Sequence, residues 1–194
     1  MATARPLRDT LIDQALAMLD AGEHDLSLRA VARSAGVSAM APYRHFPDKA
    51  ALLRAAADRG FAALDEALSA ADARGSRQSG ADALVEQGLA YVGFAIDRPA
   101  LFRLMFTSVT DPECVPQPPV DGTAYAVLAA RVASLAPEDA GTTAVTAWAL
   151  VHGLAMLALD RRLPAEQGVF RPALVLFAAG LTKKGSEASA SEPL

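Results

Sequence analysis

Cysteine occurs once in 194 residues, at Cys114, which excludes an internal disulfide and a thiolate-based zinc cluster and fits a reducing compartment. Glu113 adjoins it and no cation lies within three residues, so nothing nearby favours the thiolate and an inert thiol is expected. Aromatic residues make up only 6% of the chain. The β-branched and aromatic runs that announce strands are missing; the nearest, residues 115–120, is interrupted by Pro116, Pro118 and Pro119, and no sheet is expected. Histidine appears three times, as His24, His45 and His152. No His-Cys-carboxylate cluster, Gly-rich phosphate loop or Gly-x-Ser-x-Gly elbow accompanies them, so neither catalysis, a metal nor a cofactor is expected. The longest apolar run, residues 144–159, contains His152 and Gly153 and falls short of the roughly 20 residues that span a bilayer. It is expected as a buried helix. Residues 7–21 carry Asp9, Asp13 and Asp20 among their apolar positions, unlike the continuous apolar core of a leader. A cytoplasmic protein with no membrane partner is the expectation.

What the chain has in plenty is alanine and leucine: 52% of it is hydrophobic, mostly these two good helix formers, and the fold class expected is all-α. A stripe of period 3.6 from Leu7 to Leu19 ends before Gly22 and predicts a first helix. Ser27 is placed to cap a second, residues 28–34, which Gly36 stops. Ser38 is placed to cap a third ending near His45, and Asp48 a fourth running to about residue 73. The polar stretch at residues 73–80 marks a surface turn. Beyond it, helices are expected over residues 82–96, from Pro99 to Phe106, and over 123–135, 137–161 and 172–183, about nine in all. A Pro-rich loop at 110–122 interrupts them. The composition of residues 185–194 predicts a disordered tail. The expected division is an N-terminal unit at 1–53 with a linking helix at 48–73, then a C-terminal domain at 74–184.

The net charge of −4 conceals an asymmetry. Residues 1–60 hold eight Lys/Arg against seven Asp/Glu, a balance of +1, and the remainder ten against fifteen, a balance of −5. Because phosphate attraction is screened within about 8 Å at physiological ionic strength, clustering matters more than the total. Two short helices joined by a glycine turn, residues 27–45, have the layout of a helix-turn-helix whose second helix enters the major groove. Arg29, Ser38, Tyr43, Arg44, His45 and Lys49 would supply donors there, with Lys49 at a helix N-terminus that already favours a phosphate oxygen. Spacing alone leaves open a helical bundle with two tight turns and a solvated polar face.

The run SLRAVARSAGVSAMAPYRHFPDKAALL resembles the N-terminal DNA-binding domain of the TetR family of transcriptional regulators. The resemblance rests on the Ala32/Ala35/Gly36/Val37/Ser38 turn, on Tyr43-x-His45-Phe46, and on Lys49 with Leu52. It implies that Ser27, Arg29, Ser38, Ala39, Ala41, Tyr43, His45 and Lys49 face double-stranded DNA, most of them touching phosphates. Arg29 would contact a guanine, and Ala39 or Ala41 a thymine methyl. The chain departs from the family pattern at Ala41-Pro42, and the missing N–H of Pro42 predicts an irregular first turn. WALVHG at residues 148–153 and RPALFRLMF at 98–106 resemble a Trp-His-Gly C-terminal domain type of the same family. That implies a homodimer on a palindromic operator, formed through the two C-terminal helices. The stripes Ala144, Ala147, Val151, Leu154, Ala158, Leu159 and Leu174, Phe177, Ala178, Leu181 are the expected interface, with intramolecular core as the other possibility. It also implies a small-molecule effector pocket. Its expected lining is Tyr91 and Phe94, then Phe102, Met105 and Phe106, then Tyr125, Trp148, His152 and Met156, where a plain core is the competing reading. The implied function is a repressor released by a small hydrophobic effector. The alternatives are a ligand-binding bundle without DNA, or a constitutive repressor without effector.

Overall fold

The computed structural model describes residues 6–23, 26–106 and 124–190, with the side chains of 183–190 excepted. His24, Cys114 and the Pro-rich loop lie outside them. Among the described residues there are eight α-helices, two 3-10 turns and no strand: α1 Leu7–Asp20, α2 Leu28–Ser34, a turn at Pro42–Arg44, α3 Lys49–Gly75, α4 Gly80–Asp97, α5 Pro99–Phe106, α6 Ala124–Leu135, a turn at Pro137–Asp139, α7 Ala140–Leu159 and α8 Gln167–Ala190. The all-α expectation holds.

Local chemistry sets the boundaries. The Ser27 hydroxyl accepts the Ala30 N–H at 3.1 Å, and Asp48 Oδ1 accepts the Ala51 N–H at 2.7 Å, capping α2 and α3. At the end of α1 the chain turns left-handed at Gly22 (φ +79°), so that Glu23 N–H reaches Met18 O and Gly22 N–H reaches Leu19 O. The same Schellman closure ends α2, with Gly36 at φ +69°, Val37 N–H on Ala32 O at 3.0 Å and Gly36 N–H on Arg33 O at 3.2 Å.

Two departures from expectation come from proline. The third short helix is only the 3-10 turn Pro42–Arg44: Pro42 has no N–H to continue an α ladder, and the Ser38 carbonyl is taken instead by Ala41 N–H at 2.9 Å. The last helix begins at Gln167 rather than at Pro172, which lies inside it, and continues to Ala190. Composition predicted a tail from residue 185; the backbone is helical through Ala190.

The chain divides into two compact units, Met1–Phe61 with Arg98–Pro116, and Ala62–Asp97 with Gln117–Leu194. This differs from a boundary at the polar turn of residues 73–80: α3 contributes to both units, and α5 belongs with the first. In unit 1, Leu11, Ile12 and Ala15 of α1, Val31 of α2, Leu52 and Ala56 of α3 and Leu104 of α5 share one core with Phe46. Gly60 admits α5, since a Cβ there would lie 2.6 Å from Met105 Sδ. Phe106 packs on Phe61 and Phe102 at ring separations of 5.6 and 4.8 Å. Arg59 of α3 binds Asp9 and, at 2.7 Å, Asp13 of α1.

In unit 2, α4 is buried almost all round, with α6, α7 and α8 against it. At Gly88 a Cβ would stand 2.8 Å from Leu174 of α8. Ala144, Ala147, Val151, Ala158, Leu174 and Ala178 are all buried within this chain. The expected interface stripes are therefore largely core: small residues face inward, where α7 and α8 approach their neighbours closely. The residues left outside are Val145 and Leu157 of α7 and Val169, Val175 and Leu176 of α8. Residues Pro137–Leu159 are long and apolar enough to cross a membrane by length and composition, but α7 packs on α4 and α6.

Candidate nucleic-acid interface

The helix-turn-helix of unit 1 is built by fixing its backbone from inside. Pro42 and Phe46 are buried, and the Pro42 carbonyl accepts both His45 N–H and Phe46 N–H at 2.9 Å. The Arg8 guanidinium lies 5.4 Å from the centre of the Phe46 ring, a cation–π contact from α1. The Ser34 hydroxyl donates to Gln14 Oε1 at 2.9 Å, tying α2 to α1. On this frame Ser27, Arg29, Ser38, Ala39, Tyr43, Arg44, His45 and Lys49 are exposed, and Ala41 is half-buried. Of the expected DNA-facing residues, Ser27 is engaged as the cap of α2, and the His45 ring stands 6.4 Å from that of Phe46. Met40, 64% exposed, is missing from the expected set. Its exposure is set by what the fold leaves uncovered, so no sequence pattern marked it.

The expected pocket residues divide between the two units. Phe102, Met105 and Phe106 lie in unit 1, packed with Gly60 and Phe61. The other six lie in unit 2, where four form a row: Tyr125 meets Trp148 at 5.8 Å, Trp148 meets His152 at 6.3 Å, and His152 meets Tyr91 at 6.3 Å between ring centres. Phe94 is buried on α4 and Met156 is half-buried on α7.

The Tyr91 hydroxyl and His152 Nδ1 share a hydrogen bond of 3.0 Å, whose direction is set by the imidazole tautomer. Burial pushes the Tyr91 phenol above its usual range and the His152 imidazole below its usual 6.5. Both groups are neutral near pH 7.

A second polar network in unit 2 escaped sequence reading. Arg131 of α6 grips Asp72 of α3 with Nε and Nη2, each at 2.8 Å, and reaches the Ser76 hydroxyl at 2.6 Å. Gln87 of α4 donates to Asp72 Oδ1 at 2.6 Å, while its buried Oε1 has no partner among the described residues. The Arg131 guanidinium holds the Asp72 carboxyl below the usual carboxylate range, against the opposing effect of burial. Residues 15 to 59 positions apart make these bonds, and no local pattern marks them.

Comparison with known proteins bears on both units. The family model for bacterial regulatory proteins of the tetR family matches residues 11–56, and that for the tetracyclin repressor-like C-terminal domain matches residues 84–181. Among solved structures, a protein of unknown function from Rhodococcus sp. RHA1 is 30% identical, with a TM-score of 0.79 over 93% of this chain and 98% of that one. A bacterial regulatory protein in the tetR family from Rhodococcus RHA1 is 18% identical, with a TM-score of 0.66 over 92% and 98% of the two chains. A TetR-family regulator from Streptomyces coelicolor A3 is 22% identical, with a TM-score of 0.56 over 94% and 99%. No curated protein matches the chain. The C-terminal match alone spans half of the sequence, and with the N-terminal match on the helix-turn-helix it follows that this chain belongs to the TetR family of DNA-binding transcriptional regulators.

Proposed function

We propose that this protein is a cytoplasmic, ligand-responsive repressor. It binds a palindromic operator as a homodimer joined through α7 and α8, and a small, largely apolar effector in unit 2 releases it. The observation that carries the DNA-binding part is the exposure of Arg29, Ser38, Tyr43, His45 and Lys49 on a segment whose Pro42 and Phe46 are buried. Cations and hydroxyls held on a fixed backbone suit phosphate oxygens, and Arg29 suits a guanine edge. Ser27, Ala39 and Ala41 complete the DNA-facing set. A palindrome needs two such segments about 34 to 36 Å apart, which a twofold dimer supplies. The apolar residues left outside on α7 and α8 support that pairing.

The effector reading is supported by the row Tyr91, His152, Trp148 and Tyr125, apolar faces with polar edges drawn from three helices. Phe94 and Met156 extend its apolar surface. Arg29→Ala and Tyr43→Ala are expected to keep the fold and lose specific binding in a gel-shift titration; unchanged affinity in both defeats the interface. A thermal-shift screen of metabolites, followed by titration of the best binder with and without operator, tests the effector. An affinity change of about 5- to 150-fold is expected, and equal affinities remove the allosteric claim.

A further inference from the structure

We propose that Met40 is the principal apolar base-reading side chain of this protein and that it reads the 5-methyl group of thymine; the inference rests on the DNA-binding reading above. Seven large hydrophobic residues are strongly exposed among the described residues: five lie on α7 and α8, and the other two, Met40 at 64% and Tyr43 at 42%, lie three positions apart in unit 1. A single exposed methionine is ordinary on a protein surface. This one sits at the tip of the segment whose polar neighbours face outward for DNA.

Three observations fix its role. The backbone on either side is held, by Ala41 N–H on Ser38 O before it and by the two bonds to the Pro42 carbonyl after it. With Pro42 and Phe46 buried, the tip presents Met40 to solvent rather than letting it fold inward. Residues 39–42, Ala-Met-Ala-Pro, carry no strong side-chain donor or acceptor, so this stretch is blind to the hydrogen-bond pattern of the major groove. The apolar mark available there is the thymine methyl. Finally, Ala39 and Ala41 end at Cβ and Ala41 is half-buried, whereas the unbranched, polarisable side chain of Met40 extends three atoms further and adapts to an apolar partner. Ser38, Tyr43 and Lys49 around it provide the phosphate contacts that set register without reading sequence.

The test uses the full chain and a duplex that it selects from a random pool. Each thymine of the half-site is replaced in turn by deoxyuridine, which keeps the pairing edge and removes only the methyl. Burial of one methyl predicts about fourfold weaker binding at one thymine per half-site, and about fifteenfold when both half-sites are changed. Met40→Ala is expected to bind the thymine and deoxyuridine duplexes equally, with an unaltered melting temperature because the side chain is exposed. Equal binding of every deoxyuridine duplex by the unmodified protein overturns the proposal, as does a Met40→Ala variant that retains the full thymine preference. A pool that yields no bound duplex overturns the DNA-binding reading and this one together, whereas the two preceding results overturn the role of Met40 alone.

Discussion

Gly36 shows how a single residue governs the interface. Its φ of +69° lies in the left-handed region, and a Cβ there would meet nothing within 4 Å, so the cost of any side chain is backbone strain alone. After allowing for the lower unfolded-chain entropy of alanine, Gly36→Ala is expected to destabilise by about 1 kcal/mol. Urea unfolding measures this, and operator affinity falls with it because the turn orients Ser38 and everything after it. His152 is the second residue with a specific consequence. Burial lowers its pKa in the folded chain below 6.5, so between the two values the unfolded chain binds more protons. Stability is therefore fully present above pH 6.5 and is lost as the pH falls through the lowered value. Thermal melts from pH 8 to pH 5 should show that decline, and His152→Gln should flatten it; an unchanged slope in the variant contradicts the assignment. At this scale much was legible. The caps at Ser27 and Asp48 and the turn at Gly36 are local chemistry, written in adjacent residues. Met40 was not, because exposure of an apolar side chain depends on what the rest of the fold leaves uncovered.

Elements add constraints that single residues lack. The turn at Pro42–Arg44 is short because one N–H is missing, an effect readable from Pro42 in direction, as an irregular first turn, though not in extent. The end of α7 repeats the closure seen after α1 and α2 but with Arg161 at φ +56° in the left-handed position, Arg162 N–H reaching Leu157 O at 2.8 Å. A non-glycine residue there carries avoidable strain, so Arg161→Gly is expected to stabilise the protein by about 0.5 to 1 kcal/mol. A higher urea midpoint at constant slope would show it; a lower midpoint would mean that the arginine side chain contributes more than its backbone costs. Helices α7 and α8 also show where periodicity ran out. Both are apolar on more than one face, and a stripe of small residues fits a neighbouring helix of the same chain as well as one from a second copy. Packing resolved this: Ala147, Val151, Leu174 and Ala178 went inward.

At the scale of the whole molecule, the proposed dimer makes its own prediction. Leu176, 76% exposed on α8, contributes almost nothing to its own chain, so Leu176→Glu should leave helicity and the monomer fold unchanged. Placed against a second copy of α8, the same carboxylate would be desolvated without a partner. Sedimentation should then show a shift from dimer to monomer, with operator affinity falling alongside; a variant that remains dimeric places the interface elsewhere.

The sequence by itself determined the all-α class, most helix boundaries and the glycine turn after α2, because these follow from residues within one or two turns of each other. Only the tertiary structure decided that α5 belongs with the first unit, that Phe102, Met105 and Phe106 part from the aromatic row of the second, and that Asp72, Gln87 and Arg131 meet. The physical reason is that burial and ion pairing among residues far apart in the chain depend on which helices pack together, and helical periodicity specifies a face without naming its partner.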